Sequence, residues 1–149
     1  MNQHDTDIYY MQAALAEARR AAEAGEIPVG AIVVAGDRII GRGHNLTEAL
    51  GDVTAHAEMQ AITAAANSRG GKYLDGATLY VTLEPCLMCA GAIGWSQLSR
   101  IVIGADDPRR GYSAIVKASP FHPRATVVRG VLADECSKLI IDFFKKRRP

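Results

Sequence analysis

Apolar side chains recur every three or four residues near the start of the chain, which is the spacing of one helical face. Gly25 follows this pattern as a typical helix stop, and residues 5–7 offer acidic and hydroxyl side chains for the N-cap. The pattern predicts a first amphipathic helix over residues 8–24. Its apolar face is formed by Ile8, Met11, Leu15, Ala18 and Ala22.

Short runs rich in β-branched residues come next in the chain. Residues 29–34 and 38–42 are two such runs, and the turn-forming segment between them predicts a β-hairpin. A polar loop is expected over residues 45–52. Residues 55–68 are rich in alanine, contain no glycine or proline and end near Gly70, so they predict a second helix.

The second half of the chain alternates between strand and helix patterns. Residues 78–83 and 100–104 are predicted strands, and residues 85–96 between them have helical character. A strand, a helix and a strand at this spacing predict a parallel crossover.

The last third begins with a segment rich in proline and glycine. Residues 105–124 are expected to be mostly loop, with a short helix near 114–118, and residues 127–131 are expected to form a last strand. Apolar residues at helical spacing then predict a closing helix: Leu132, Cys136, Leu139, Ile140 and Phe143. These elements together predict an α/β fold, a three-layer α/β/α arrangement with a mixed central sheet.

Length and composition are those of one globular unit. A chain of 149 residues with 48% hydrophobic residues buries one core, so residues 1–149 are predicted to form a single domain. The first residues lack the features of a signal peptide, and no apolar run is long enough to cross a bilayer, so we expect a soluble cytoplasmic protein without a membrane anchor.

Charge is unevenly distributed along the sequence. Residues 1–99 carry a net charge of −5 and residues 100–149 a net charge of +6. Such asymmetry indicates either an anionic partner that meets one side of the molecule or a solvated surface with basic helix ends.

Three residues in two segments have the spacing of a catalytic metal site. Cys86 and Cys89 are three residues apart on one face of a predicted helix, whose N-terminus favours the thiolates that zinc requires. His56 offers a nitrogen ligand from another helix. Three protein ligands leave tetrahedral zinc with one open position, as in catalytic sites, whereas structural zinc has four protein ligands. We therefore predict one Zn²⁺ per chain.

Other uses of these residues are less consistent with the sequence. Cys136 is a candidate fourth ligand, but it lies on the apolar face of the last helix and is predicted to be core. A redox Cys-x-x-Cys pair would leave His56 and Glu58 without a role. The remaining histidines have no partner motif and are predicted to be surface or packing residues: His4, His44 and His122.

Glu58 lies two residues after the proposed histidine ligand. A carboxylate this close to a catalytic zinc is suited to move protons between water and a substrate, so Glu58 is the predicted catalytic acid and base. The alternative is an ordinary first-turn glutamate that complements the helix dipole.

The spacing His56-x-Glu58 followed by Pro85-Cys86-x-x-Cys89 matches the signature of zinc-dependent nucleobase deaminases. Further segments are similar to bacterial tRNA-specific adenosine deaminases over nearly the whole chain: 26–31, Asn45, 54–58, 82–86, 88–92, 104–107 and 130–136. The resemblance implies a cytidine-deaminase-like fold, a homodimer, zinc, and conversion of the wobble adenosine of an arginine tRNA anticodon to inosine.

The same resemblance implies a set of substrate contacts. Asn45 would hydrogen-bond the flipped base, Pro85 would line its pocket, and Asp107 would contact the anticodon backbone or ribose. The alternatives are a turn role for Asn45, a loop-capping role for Asp107 and a core position for Phe143. Further contacts are expected from Ala57, Arg109, Arg110, Phe143, Phe144 and the basic residues 145–148.

Two segments depart from the family pattern. Residues 108–115 replace a loop of small residues, and Trp95 is similar to an aromatic residue of guanine deaminases. A deaminase of free bases or nucleosides, such as guanine or cytosine, is therefore the alternative function. A zinc-stapled RNA-binding module without catalysis is disfavoured because it has no use for an open metal site beside a glutamate.

Overall fold

Five strands form one mixed sheet in the computed structural model, which describes residues 1–147. The strand order is β2-β1-β3-β4-β5. β1 is antiparallel to both β2 and β3, whereas β3, β4 and β5 are parallel. The predicted hairpin and the predicted parallel crossover are both confirmed. The strands are β1 (Gly30–Ala35), β2 (Arg38–His44), β3 (Thr78–Leu83), β4 (Arg100–Ala105) and β5 (Thr126–Arg129).

Helices cover both faces of this sheet. They are α1 (Gln3–Glu23), α2 (Thr47–Leu50), α3 (Ala57–Arg69), α4 (Leu87–Trp95), α5 (Tyr112–Ile115) and α6 (Ala133–Arg147). α3 and α4 pack on one face, and α1 and α6 pack on the other. The predicted three-layer α/β/α arrangement is therefore confirmed.

Alternation along each strand separates two apolar cores. In β1, Ala31 and Val33 point into the core beneath α3 and α4, whereas Ile32 and Val34 point towards α1 and α6. This is the pattern of a sheet that is buried on both faces, and it explains why β1, β3 and β4 are apolar runs without polar positions facing solvent.

Most element boundaries lie within about two residues of the sequence prediction, and three helices differ more than this or were not predicted at their positions. α1 begins at Gln3 rather than residue 8 because Asn2 caps it, its Oδ1 accepting a hydrogen bond of 2.8 Å from the N–H of Asp5. α2 lies inside the predicted 45–52 loop, and α5 begins at Tyr112 rather than near residue 114. His4, predicted to be a surface or packing residue, therefore lies within α1 and is exposed.

Cys136 is core, as predicted. It is 2% exposed and packs where α6 crosses β4. A Cβ at Gly104 would lie 2.5 Å from the Cys136 sulfur, so this close approach of helix and strand requires glycine. The thiol lies in the apolar layer and is not part of the metal-ligand cluster.

A buried ion pair joins the N-terminal helix to the sheet. The Asp7 carboxylate accepts hydrogen bonds of 2.6 and 2.7 Å from Arg100 and one of 2.9 Å from the Tyr80 hydroxyl. Burial opposes ionisation of Asp7, but the bonds from Arg100 and Tyr80 outweigh it and hold the pKa of Asp7 below its usual value. The three residues lie far apart in sequence, and the sequence pattern did not indicate this pair.

Within residues 1–147, no helix combines the length and the apolar character needed to cross a bilayer.

Candidate active site

Two helix N-termini at one edge of the sheet hold the predicted metal ligands. His56 is the N-cap residue of α3, Cys86 is the N-cap residue of α4, and Cys89 lies in the first turn of α4. The parallel crossover from β3 through α4 to β4 brings the start of α4 beside the start of α3. The ligand atoms of the three residues all lie within 4.8 Å of one another.

The cluster has the dimensions of a tetrahedral zinc site. The Nδ1 atom of His56 lies 3.6 Å from the sulfur of Cys86 and 3.5 Å from that of Cys89. Tetrahedral zinc with ordinary Zn–N and Zn–S bonds places these atoms about 3.6 Å apart. In the described part of the chain, the group contains no fourth histidine, cysteine or carboxylate ligand. The residues therefore fit zinc with one position left for water or substrate.

The two cysteine ligands have pKa values shifted in opposite directions. A hydrogen bond from the Cys89 thiol, assisted by His56, lowers the pKa of Cys86 to about 4. The same hydrogen bond, together with burial, raises the pKa of Cys89 well above its usual value. Zinc binding must therefore displace a proton from Cys89, so the affinity for metal rises with pH.

Glu58 lies in the first turn of α3, next to these ligands. It is 4% exposed, and burial raises its pKa to about 7. Like the three ligands, it is held by a helix N-terminus. A carboxyl group with a pKa near neutrality is suited both to accept and to donate a proton.

His56, Glu58 and Cys86 line a cavity of about 740 Å³. Its opposite walls come from the segment after β2, from the loop after β4 and from one side of α6. Sites for organic ligands commonly enclose about 300–1,000 Å³, so this cavity has room for more than a single base.

Most of the predicted substrate-binding residues meet at this cavity. It is lined by Asn45, Ala57, Asp107, Arg109, Arg110 and Phe144. Pro85 differs from its prediction: it is buried outside the described cavity lining, and its carbonyl accepts a hydrogen bond of 2.9 Å from the N–H of Tyr112.

A family profile described as the cytidine and deoxycytidylate deaminase zinc-binding region matches residues 4–105. This range includes all three ligands and Glu58. The chain belongs to this zinc-binding deaminase family. The match agrees with the open three-ligand cluster found in the structure, and the predicted zinc cofactor is confirmed.

Relatives within the family are similar over almost their whole length. The tRNA-specific adenosine deaminase of Bacillus subtilis is 45% identical over 95% of this chain and 91% of its own. A structure from a study of A-to-I editing by tRNA:A34 deaminases superposes with a TM-score of 0.82 at 41% identity, covering 88% of this chain and 98% of the other. The predicted resemblance to tRNA-specific adenosine deaminases is confirmed.

A second branch of the family is more distant. The guanine deaminase of Bacillus subtilis superposes with a TM-score of 0.64 at 36% identity, covering 71% of this chain and 66% of the other. The guanine deaminase of Nitrosomonas europaea superposes with a TM-score of 0.74 at 25% identity, covering 89% of this chain and 81% of the other. Both TM-scores are lower than the 0.82 of the structure from the tRNA:A34 deaminase study.

Asn45 has both a turn role and a free donor in this deaminase. Its Oδ1 accepts a hydrogen bond of 3.2 Å from the N–H of Thr47, and its Nδ2 donates one of 3.4 Å to the carbonyl of Ile27. The amide nitrogen carries two hydrogens, so one remains for a ligand in the cavity. The turn fixes the direction in which this donor points.

Asp107 likewise shapes its own loop. Its Oδ1 accepts hydrogen bonds of 3.1 Å from the N–H groups of both Arg109 and Arg110. This is the loop-capping role that the sequence left open as an alternative. The second carboxylate oxygen stays available at the cavity wall.

Two buried carboxylates that hold segments around the cavity were missed by sequence reasoning, and one of them, Glu84, also lines the cavity. Glu26 is 1% exposed. Its carboxylate accepts hydrogen bonds of 2.9 and 2.7 Å from the N–H groups of Glu48 and Ala49, both of which lie in α2. Glu84 is 4% exposed and binds backbone N–H groups of the loop after β4. Only the positions of these residues inside the matching segments 26–31 and 82–86 gave a signal.

The C-terminal end of α6 makes contacts within the protein through Arg147. Arg147 donates a hydrogen bond of 2.7 Å to the carbonyl of Gly25, and its guanidinium lies 4.4 Å from the ring centroid of Phe143. This contact holds α6 against the end of α1. Arg148, which was also predicted to contact RNA, lies outside the described residues.

Proposed function

We propose that this protein converts adenosine to inosine at the wobble position of a tRNA anticodon by zinc-dependent hydrolysis, and that residues 1–149 act as one deaminase domain. The observation that carries the chemistry is the open three-ligand cluster with buried Glu58 in one cavity. The similarity to tRNA-specific adenosine deaminases over nearly the full length supports the substrate.

His56, Cys86 and Cys89 would hold the metal. Zinc bound there supplies Lewis acidity, which makes water a better nucleophile near neutral pH. Glu58 takes a proton from the attacking water at a carboxylate oxygen and passes it to a ring nitrogen of the base. It then takes the second proton from the hydroxyl formed at the attacked carbon and gives it to the amino group, so that the C=O bond forms as the C–N bond breaks and ammonia leaves. Adenosine and water thus give inosine and ammonia.

The cavity mouth has the features expected for a nucleotide within an RNA strand. Arg109 and Arg110 are exposed cations at the mouth, and Phe144 is a 44% exposed aromatic on the α6 wall. Cations bind phosphates, and exposed aromatic rings stack on unpaired bases. In this proposal Asn45 orients the flipped base, and Ala57 and Asp107 line the cavity around it. The natural substrate is an arginine tRNA in the cytoplasm.

A homodimer is part of the same proposal. Trp95 is 84% exposed and Met88 is 39% exposed, and both lie on α4, seven residues apart and so on one helical face. Exposed apolar groups clustered in this way are typical of protein interfaces. A second copy of the chain would cover this face. Sedimentation of the purified protein as a monomer at micromolar concentration would contradict this part of the proposal.

Substrate choice is tested by direct competition. We expect the zinc protein to release ammonia and form inosine in an arginine tRNA anticodon stem-loop, with little or no conversion of free adenine, guanine, cytosine or cytidine. The same stem-loop carrying guanosine at the wobble position is the matched control. Preferred conversion of free guanine would instead favour the alternative function.

The two arginines at the cavity mouth give a second, independent prediction. We expect replacement of Arg109 and Arg110 by alanine to weaken binding of the stem-loop. The dependence of log affinity on log salt should become shallower by about 0.7 for each lost phosphate contact. Arg38→Ala is the control, since this exposed arginine begins β2 at the end opposite Asn45. An unchanged salt dependence in the double variant would remove both arginines from the RNA site.

A further inference from the structure

The buried carboxylate of Glu84 binds both ends of one loop. Its Oε1 accepts a hydrogen bond of 3.1 Å from the N–H of Asp107, and its Oε2 accepts bonds of 3.0 and 2.6 Å from the N–H and hydroxyl of Ser113. Residues 106–113, here called the 106–113 loop, are therefore closed around a single side chain. This loop includes residues 108–113, which are most of the segment that departs from the family pattern.

Arg129 completes this arrangement from β5. Its guanidinium donates bonds of 2.8 Å to the Asp106 carboxylate and 2.9 Å to the Tyr112 hydroxyl, and it lies 3.5 Å from Glu84 Oε1. The two ends of the loop are thus tied to each other through one buried carboxylate and one arginine. Arg129 balances the charge of Glu84 and so offsets part of the free-energy cost of burying this carboxylate.

The carboxyl group of Glu84 packs directly against the backbone of Gly111. A Cβ at Gly111 would overlap the carboxyl carbon of Glu84, so only glycine fits there. The backbone of the loop also pairs with the metal-ligand turn through a bridge between Cys86 and Gly111. Both oxygens of Glu84 accept hydrogen bonds from the loop.

The 106–113 loop forms one wall of the catalytic cavity. It presents Asp107, Arg109 and Arg110 to the cavity mouth. Apart from Tyr112, which packs in the core, the loop contains only polar residues, proline and glycine, and such a segment loses conformational entropy when it orders on a ligand. Holding it in place before the substrate arrives removes that cost from binding.

We propose that Glu84, together with Arg129, is a positioning residue that fixes the 106–113 loop for recognition of a polynucleotide substrate. The inference rests on the proposed function for the identity of the substrate. It assigns to Glu84 an effect on substrate binding, separate from the proton transfer carried out by Glu58.

The test compares Glu84→Gln with Asp7→Asn. Glutamine keeps the size of the side chain but replaces one acceptor by an NH₂ group that faces a backbone N–H. We expect the KM for the anticodon stem-loop to rise about tenfold, the effect of losing one hydrogen bond to a charged group. The kcat should stay within about twofold, and the zinc content should be unchanged.

Asp7→Asn is the matched control for general destabilisation. Asp7 is also a buried carboxylate paired with an arginine, but its ion pair joins α1 to β4 and involves no residue of the cavity wall. This variant should lose thermal stability at least as much as Glu84→Gln while keeping the wild-type KM. A similar rise in KM in both variants would show that stability alone is responsible, and would overturn the proposal.

Amide hydrogen exchange measures the loop without any substrate. In Glu84→Gln the N–H groups of Asp107 and Ser113 should exchange at least about tenfold faster than in the wild type, whereas Asp7→Asn should leave them unchanged. If wild-type protein fails to deaminate the stem-loop, the proposed function fails, and the exchange result still decides whether Glu84 positions the loop. Unchanged protection in Glu84→Gln would overturn that role.

Gly111→Ala tests the same arrangement from the other side. The added methyl group displaces the Glu84 carboxylate, so this variant should also raise KM with little change in kcat. Because both substitutions disrupt one arrangement, the double variant should raise KM by less than the product of the two single effects. Fully multiplicative effects would contradict a common cause.

Discussion

Replacing Glu58 with glutamine lowers the kcat for ammonia release by about 10²–10⁴-fold, while zinc content and fold are retained. Glutamine has the size of the buried glutamate, so no cavity is created, but it cannot carry the proton from water to the base or to the leaving amino group. Single-turnover measurements on the stem-loop, with zinc quantified in the same samples, check this result.

A control separates proton transfer from helix electrostatics. Glu135 is an exposed first-turn glutamate of α6, and it is not among the residues that line the described cavity. Glu135→Gln should change the free energy of unfolding by no more than about 1 kcal/mol, the usual size of a helix-dipole contribution, and leave kcat unchanged. A metallated Glu58→Gln variant with near-normal turnover would show that Glu58 has only this electrostatic role.

Replacing both Cys86 and Cys89 with alanine abolishes zinc binding and, with it, deamination. His56 alone is left of the cluster, and a single imidazole does not hold zinc against solvent or a mild chelator. Elemental analysis should give one zinc per chain for the wild type and close to none for the double variant. The melting temperature should also fall, because bound metal stabilises the folded state in proportion to its affinity.

Cys136→Ala is the matched control for the loss of a cysteine. Cys136 is buried between α6 and β4, apart from the cluster, so this variant should keep a full complement of zinc and its activity. Full zinc in the Cys86→Ala, Cys89→Ala protein would falsify the assignment of the ligands.

The conclusions that the sequence alone supported are those encoded by short-range spacing. Cys86 and Cys89 are three residues apart, and His56 and Glu58 are two residues apart. These spacings alone predicted a zinc site with an adjacent catalytic acid and base. The hydrophobic pattern also located the buried strands: β3 matches its predicted range of residues 78–83, and β4 ends one residue beyond its predicted range. Strands buried on both faces are continuous apolar runs bounded by polar residues, and this signal is local.

The features that only the tertiary structure decided depend on contacts between residues that are distant in sequence. Asp7 and Arg100 are 93 residues apart, and Glu84 and Arg129 are 45 apart, yet each pair meets across the sheet. α2 forms inside a predicted loop because buried Glu26 binds its N-terminal N–H groups. A buried carboxylate shows in a sequence only as one more acidic residue, because the backbone groups that justify its burial belong to another segment and are brought to it only by the fold.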